Sequence, residues 1–168
     1  MINFKSIEIE DVEDFWDFLK TLDLETDDMM YEPGEREKRT NVSELKHDIQ
    51  SNVIQGEDFL YMALNDNKII GYIRAERGKF NRVRHMAYIT VGILKSYRAR
   101  GIGASFFEQL EKWAKENAVH RLELTVECHN KAACHLYAKS GFRVEGVRKN
   151  AMCVDRKYVD EYYMAKLF

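Results

Sequence analysis

Arg98-Ala99-Arg100-Gly101-Ile102-Gly103 separates an apolar run that ends at Leu94 from an amphipathic run that continues to Asn117. The first turn of a helix carries main-chain N–H groups without partners, and the helix dipole adds about half a positive charge there. Glycines allow the backbone to approach an anion closely, and the two arginines can pair with further phosphate oxygens. The stretch therefore predicts a strand, a turn and a helix that together hold a pyrophosphate.

Two other glycine-rich phosphate loops fit this stretch less well. A P-loop requires Lys and then Ser or Thr after its last glycine, but Gly103 is followed by Ala104 and Ser105. A dinucleotide-binding fingerprint requires a third glycine where Phe106 stands. On these residues alone, a helix that happens to begin with Gly-x-Gly explains the sequence equally well.

Hydrophobic periodicity around this turn predicts the element order β-α-α-β-β-β-α-β-α-β-β. Residues 65–67 indicate a hairpin turn, residues 23–38 an acidic loop and residues 78–84 a basic connecting loop. Hairpins beside one βαβ crossover predict an α/β fold with a mixed sheet and helices on both faces. The predicted strands are residues 2–9, 59–64, 68–76, 85–94, 121–127, 142–153 and 158–167, and the predicted helices are residues 11–22, 41–55, 101–117 and 130–140.

Length and composition fit one domain over residues 1–168. Hydrophobic residues make up 45% of the chain, enough for a core, and 26 basic against 28 acidic residues give a net charge of −2. A nucleic-acid-binding protein normally carries a basic excess, so no nucleic-acid partner is expected. No run approaches the roughly 20 apolar residues of a membrane-spanning helix, and the N-terminus lacks signal-peptide features. We therefore expect a cytoplasmic protein without a membrane partner.

The three cysteines are scattered and form no C-x-x-C pair. Neither a disulfide framework nor a metal site is expected from them. The five histidines also lack ligand spacing. We expect His85 near the functional site and the others at the surface, namely His47, His120, His129 and His135.

A second diagnostic segment follows the turn after one predicted strand: Asn130-Lys-Ala-Ala133-Cys-His-Leu136-Tyr137-Ala-Lys-Ser-Gly141-Phe142. Together the two segments resemble the motifs of the GNAT superfamily of N-acetyltransferases. Arg98, Gly101 and Gly103 match Gln/Arg-x-x-Gly-x-Gly/Ala, and the second segment matches Asn-x-x-Ala-x-x-Leu-Tyr-x-x-x-Gly-Phe at every defined position. Two motifs correctly spaced around a strand are far more specific than either alone. Residues 84–146 carry the resemblance.

The resemblance implies the GNAT (acyl-CoA N-acyltransferase) fold, whose mostly antiparallel central sheet splays between its fourth and fifth strands. It also implies that acetyl-CoA is the cofactor and that its acetyl group passes directly to a primary amine. Residues 145–164 resemble bacterial GNAT enzymes for small amines or amino acids, and in part the ribosomal-protein N-terminal acetyltransferases. The implied partner is a small-molecule amine, such as an amino acid or polyamine, or a peptide N-terminus. A homodimer is ordinary for such a domain.

The resemblance also implies roles for individual residues. The Val91 N–H would donate to the thioester carbonyl as an oxyanion hole, and the main chain of Ile93 would bind the pantetheine amides. Both side chains are expected in the sheet core. Tyr137 would protonate the departing thiolate, although a core tyrosine is the alternative. Asn130 suits a helix N-cap and is also implied to lie near the cofactor. The implied diphosphate-binding residues are Arg98, Ala99, Arg100, Gly101, Ile102, Gly103 and Ala104.

An amine acceptor must lose a proton before it attacks, because an alkyl amine is about 10⁴-fold more protonated than free near neutral pH. Carboxylates are natural bases and also bind an ammonium group. Glu32 is the first choice as the base, since Tyr31–Glu35 forms a turn in the loop that covers the acceptor side in this family. For each carboxylate, a solvated surface charge is the alternative. The other candidates are Glu35, Glu123 and Glu127, and strand alternation adds Tyr88, Thr90 and Thr125 to the predicted acceptor-binding face.

Other functions stay open on the sequence alone. A GNAT-fold protein that senses acetyl-CoA without turnover would keep the turn but would have no need of Tyr137. A nucleotide-binding protein could use the Gly101 turn. Cys128 or Cys134 could carry an acetyl group, but neither has a basic partner evident in the sequence, so direct transfer is preferred.

Overall fold

The chain forms strands and helices in the order predicted from the sequence, with one further short helix at residues 36–39. The computed structural model describes residues 1–168. None of the helices has the length and apolar character of a membrane-crossing helix. The strands are β1 (Ile2–Ser6), β2 (Phe59–Asn65), β3 (Lys68–Arg77), β4 (Met86–Ile93), β5 (Arg121–Glu127), β6 (Arg143–Val154) and β7 (Lys157–Leu167). The helices are α1 (Val12–Glu25), α2 (Arg36–Arg39), α3 (Val42–Asp48), α4 (Ile102–Glu116) and α5 (Lys131–Lys139).

The strands form one seven-stranded mixed sheet in the order β1-β2-β3-β4-β5-β7-β6. β4 and β5 pair in parallel, whereas β1 with β2, β2 with β3, β5 with β7 and β6 with β7 are antiparallel. The parallel pairing joins Met86 through Tyr88 to Arg121 through Glu123, and both strands continue beyond it. This short pairing agrees with a splay between the fourth and fifth strands. The predicted fold class is confirmed.

The chain divides into two compact units. The first unit comprises Met1–Glu76 and Thr90–Phe106, and the second comprises Arg77–Ile89 and Phe107–Phe168. β4 and α4 each contribute residues to both units. The expectation of one domain over the whole chain stays a prediction.

One face of α1 lies in the core of the first unit. Phe15 and Phe18 meet the ring of Tyr72 edge-on, with centroid distances of 5.2 Å and 5.8 Å. Trp16 is only half-buried, although the helical pattern predicted it on the inner face, and Phe18 is buried in its place. Each fully buried side chain of this size contributes roughly 1.5–3 kcal/mol, so this face holds α1 against β3. The residues buried as predicted are Val12, Phe15, Leu19 and Leu22.

A two-residue turn joins β2 to β3. Asp66 and Asn67 have φ angles of 49° and 66°, and Asn65 is the register partner of Lys68. Positive φ at both central residues defines the type I′ turn, which Asn and Asp tolerate better than most residues. The predicted hairpin therefore follows from local chemistry.

The predicted helix over residues 41–55 has two parts. Asn41 begins it by accepting a hydrogen bond from the Glu44 N–H at 2.9 Å, the geometry of an N-cap. α3 then changes into a π-helix over Ile49–Ile54. Only Ile49 of the predicted inner face is fully buried. Wider π-helical turns explain the difference, because residues three and four apart no longer share one face.

Arg74 of β3 fixes this helix to the sheet. Its guanidinium pairs with Asp48 at 2.6 Å and with Asp58 at 3.0 Å, and it is 13% exposed. Asp48 precedes the π-helix and Asp58 follows it, so one buried cation holds both ends.

In the second unit, α5 is capped at both ends as predicted. The Asn130 side chain accepts a hydrogen bond from the Ala133 N–H at 3.2 Å. Gly141 has a φ of 96°, the left-handed conformation that favours glycine directly after a helix. Phe142 follows it and is buried.

β5 pairs with β7 along its full length, from Arg121 opposite Leu167 to Glu127 opposite Glu161. Register partners in a sheet point to the same face. Thr125 and Glu127 therefore share one face with Tyr163 and Glu161.

Replacing Arg74 tests how much the buried ion cluster stabilises the fold. We expect Arg74→Met to lower the free energy of unfolding by about 3–5 kcal/mol, because carboxylates stay buried without their cation. Urea denaturation measures this change. Arg82→Met is the control: Arg82 is exposed, and its loss should change stability by less than about 0.5 kcal/mol. Equal free energies of unfolding in the two variants would contradict a stabilising role for the Arg74 ion pairs.

Candidate active site

The turn between β4 and α4 presents a run of main-chain donors. The first hydrogen bond back along α4 runs from the Ser105 N–H to the Gly101 carbonyl at 3.1 Å. Every N–H from Ala99 to Ala104 lacks an acceptor within the protein. Successive free N–H groups at a helix N-terminus form an anion-binding site. The donor set therefore fits the diphosphate that the sequence predicts here.

Two residues in left-handed conformation shape this turn. Ala99 has a φ of 58° and Gly101 a φ of 82°. No atom lies within 4 Å of the position a Cβ would take on Gly101, so this side of the turn is open. A left-handed alanine costs roughly 1–2 kcal/mol, which the surrounding structure must offset.

The two arginines of the turn are exposed and have different partners. Arg98 Nε donates to the Ile93 carbonyl at 3.1 Å. The Arg100 guanidinium lies 5.2 Å from the centroid of the Tyr97 ring. Both charges therefore lie beside the turn. The Ile93 carbonyl that the sequence assigned to pantetheine already has one donor within the protein.

The strand that precedes the turn is half-buried where the sequence predicted core. Val91 and Ile93 both keep partial exposure, so the expectation that their side chains are core is wrong. Gly92 between them touches its neighbours closely: a Cβ there would lie 2.5 Å from Leu22 and 3.2 Å from Tyr72. A Cβ at this position would force the Leu22 side chain to move, so glycine allows β4 to lie this close to α1.

The acidic loop is anchored by a buried ion pair that the sequence did not reveal. Arg36 Nε and Nη2 donate to the two carboxylate oxygens of Asp23 at 2.6 Å and 3.0 Å, and Asp23 is 1% exposed. The same guanidinium lies 4.7 Å from the centroid of the Tyr31 ring. Asp23 therefore belongs to the core of α1 and not to the loop, and it fixes the far end of that loop through Arg36.

Glu32 and Glu35 differ in what holds them. Glu35 Oε1 accepts from the Glu32 N–H at 3.2 Å, and Oε2 pairs with Arg39 at 3.3 Å. The Glu32 carboxylate is exposed and has no hydrogen bond or ion pair within the protein. Of the two, only Glu32 presents an uncommitted negative charge.

A further carboxylate of α1 contacts the cofactor turn. Glu25 Oε2 accepts a hydrogen bond from the Lys95 N–H at 2.8 Å. The Leu94 N–H beside it donates to the Ile70 carbonyl at 2.9 Å. These two bonds fix the point at which the chain leaves β4. The residues that each bond joins are far apart in the sequence, so hydrophobic periodicity could not predict these bonds.

In the second unit, Tyr137 is packed between aromatic rings. It is 8% exposed, and its ring centroid lies 5.6 Å from that of Phe107 and 6.4 Å from that of Phe142. The ring is core, as the alternative interpretation held, and this packing fixes the direction of the hydroxyl.

The predicted polar face of β5 is present. The Tyr88 hydroxyl and Thr125 Oγ1 lie 2.7 Å apart in a hydrogen bond across β4 and β5. Tyr88 is 36% exposed. Glu123, on the same face, pairs with Arg121 at 2.9 Å, and Arg121 also binds Glu145. Thr90 is half-buried and belongs to the first unit.

Glu127 is buried and meets a histidine that the sequence placed at the surface. It is 4% exposed, and its Oε2 lies 3.1 Å from His129 Nε2. The Asn130 N–H donates to the Glu127 carbonyl at 3.0 Å, which closes a turn and brings His129 back to Glu127. Sequence spacing carries no signal for this contact, because it depends on that turn.

Cys134 Sγ lies 3.9 Å from the Glu127 carbonyl oxygen, as a weak hydrogen-bond donor. Burial raises the pKa of the Cys134 thiol, and Cys128 beside it acts in the same direction. A raised pKa disfavours the thiolate, which is the nucleophilic form. An acetyl-cysteine route is therefore disfavoured.

A mixed sheet with a short parallel β4–β5 pair, followed by a donor-rich helix N-terminus, defines the acyl-CoA N-acyltransferase class. Residues 17–142 match the acetyltransferase (GNAT) family, and the chain belongs to that family. Its members are acetyltransferases that use acetyl-CoA.

Individual relatives agree with this assignment. An acetyltransferase of the GNAT family from Streptococcus pneumoniae has 28% identity and a TM-score of 0.93, with all of both chains covered. YncA from Salmonella typhimurium, determined with its cofactor acetyl-CoA, shares the fold at 14% identity and a TM-score of 0.85, covering 99% of this chain and 93% of that one. The L-amino acid N-acetyltransferase AaaT of Escherichia coli is 28% identical over 110 residues. That match covers 63% of this chain and 66% of AaaT.

Gly101→Ala tests the anion-binding turn. A side chain at this φ costs roughly 1–2 kcal/mol, so the turn should change conformation and move its N–H groups. We expect acetyl-CoA to bind at least about tenfold more weakly, the equivalent of one hydrogen bond to a charged group. Isothermal titration calorimetry measures the Kd.

Gly34→Ala is the matched control for this variant. Gly34 has a φ of 78° and likewise nothing within 4 Å of the place where a Cβ would lie, but it belongs to the acidic loop. Both variants should lose similar stability, and only Gly101→Ala should lose cofactor affinity. A Kd unchanged in Gly101→Ala would contradict the position of the diphosphate.

Proposed function

We propose that this protein transfers the acetyl group of acetyl-CoA directly to a primary amine of a small molecule, such as an amino acid or polyamine, or of a peptide N-terminus. The observation that carries the proposal is the run of free N–H groups from Ala99 to Ala104 in a GNAT-family chain. The amino-acid acetyltransferase among its relatives supports a small amine as acceptor.

The first unit would bind and polarise the cofactor. The N–H groups from Ala99 to Ala104, with Arg98 and Arg100, would hold the diphosphate by charge-assisted hydrogen bonds. Bound acetyl-CoA supplies an activated acetyl thioester. The Val91 N–H would donate to the thioester oxygen, where negative charge develops, and the Ile93 main chain would bind the pantetheine arm.

The second unit would supply the proton for the leaving group. Tyr137 would donate its phenolic proton to the coenzyme A sulfur as the C–S bond breaks. Asn130 caps the helix that carries Tyr137 and would lie near the cofactor. Because Phe107 and Phe142 hold the ring, the proton donor is oriented in advance.

The acceptor would be recognised by the carboxylates and polar side chains that the sequence predicts for it. Glu32 would attract its ammonium group, since this carboxylate is exposed and uncommitted. The Glu35 carboxylate accepts a hydrogen bond from the main-chain N–H of Glu32 and so helps to hold Glu32 in place. Tyr88, Thr90 and Glu127 would line the acceptor-binding face. The cytoplasmic location and the homodimer that the sequence suggested stay predictions.

Thiol release from acetyl-CoA across a panel of amines tests this function. We expect Tyr137→Phe to lower kcat by about 10²-fold or more, because the thiolate then leaves without a proton donor. The Kd for acetyl-CoA should be unchanged, since the ring and its packing remain.

Tyr158→Phe is the control, because Tyr158 is 71% exposed and should not affect turnover. Equal rates in Tyr137→Phe and the wild type would remove Tyr137 from the mechanism. Binding of acetyl-CoA without thiol release from any amine would contradict the enzymatic proposal.

A further inference from the structure

His129 carries an exposed imidazole on a buried carboxylate. Its side chain is 69% exposed, whereas Glu127 is 4% exposed, and the two atoms in contact, Nε2 and Oε2, lie 3.1 Å apart. Nδ1 of the ring has no hydrogen bond within the protein. A carboxylate that holds one ring nitrogen fixes the orientation of the imidazole. The opposite nitrogen is then directed away from the protein.

This imidazole lies at the end of the polar face of β5. Thr125 and Glu127 are two residues apart on that face, and Thr125 binds the exposed hydroxyl of Tyr88. Glu127 is 4% exposed, so His129 is the more accessible side chain of this pair. His129 extends the face beyond its last residue and presents a group that can exchange protons with bound molecules.

His129 and the Tyr137 hydroxyl lie toward the same end of α5. His129 precedes the N-cap Asn130, whereas Tyr137 lies about two turns into the helix. The tyrosine side chain leans back toward the N-terminus, which shortens the separation along the helix axis. The proposed proton acceptor therefore directly precedes the helix that carries the proposed proton donor.

We propose that His129, oriented by Glu127, takes the proton from the acceptor amine; this assignment rests on the proposed function. The ammonium group loses a proton to His129 Nδ1, and the freed lone pair forms the C–N bond with the acetyl carbon. The C–S bond breaks, and the sulfur keeps its electron pair and receives the Tyr137 proton. His129 replaces Glu32 as the base, and Glu32 keeps the role of attracting the ammonium group.

The charged neighbours of Glu127 favour this arrangement. Glu161 is its register partner on β7, is 6% exposed and pairs with Arg148 at 2.8 Å. Beside it, Asp160 pairs with Lys149 at 3.1 Å. The neighbouring acidic side chains thus have their own cations. Protonation of His129 during turnover would place a positive charge beside the Glu127 carboxylate.

His129→Gln tests the assignment, because glutamine can keep a hydrogen bond to Glu127 but cannot take up a proton. With an amine that the wild type acetylates, we expect kcat/KM near neutral pH to fall by about 10²-fold or more. The Kd for acetyl-CoA should not change. His135→Gln is the matched control, since His135 is an exposed histidine on α5.

The pH profile separates proton transfer from a structural role. The wild type loses activity as pH falls, because a protonated imidazole cannot accept the proton of the amine. His129→Gln should depend only on free amine and gain about tenfold in kcat/KM per pH unit up to the pKa of the acceptor. The difference in kcat/KM between the wild type and His129→Gln should therefore become smaller as pH rises.

Glu127→Gln gives an independent readout. It should also lower kcat/KM, because the imidazole is no longer held in one orientation. The assignment of His129 as the base would be overturned if His129→Gln kept the wild-type rate. It would also be overturned if kcat/KM fell by the same factor at every pH. If the wild type releases no thiol with any amine, the proposed function fails and this assignment fails with it.

Discussion

The open N–H groups from Ala99 to Ala104 set the constraint on which the rest of the site depends. Left-handed conformations at Ala99 and Gly101 keep these donors from closing hydrogen bonds within the chain. The helix dipole adds positive potential at the same place. An anion therefore gains several charge-assisted bonds at once without reorganising the backbone. A diphosphate held here would in turn decide which main-chain groups of β4 the thioester could reach.

The strand that leads into this turn and the loop proposed for the acceptor share one anchor, helix α1. Gly92 packs without space for a side chain against Leu22. One residue further along α1, Asp23 binds Arg36, which belongs to the short helix after the acidic loop. Within the first unit, both sides of the proposed reaction thus depend on the last turns of α1. The packing of α1 in the core therefore also positions the residues proposed for the reaction.

Local chemistry predicted most of the fold and the part of the site that lies on single elements. Alternation gave β5 and its polar face, and glycine and asparagine chemistry gave the caps of α5. The contacts that the sequence did not predict join residues on either side of a turn or on different helices and strands. His129 meets Glu127 only because the Glu127–Asn130 turn closes, and Asp23 meets Arg36 across the acidic loop. The π-helix at Ile49–Ile54 was not predicted for another reason: its period matches neither the α-helical nor the β-strand pattern of hydrophobic residues.

The distribution of cations distinguishes the proposed base from the carboxylates that already have an arginine partner. Glu123 is held by Arg121, Glu161 by Arg148 and Glu35 by Arg39. These carboxylates are already engaged by permanently charged arginines. An imidazole beside a carboxylate can take up a proton and form an ion pair with it. His129 on Glu127 is the pair on the polar face of the second unit with this property.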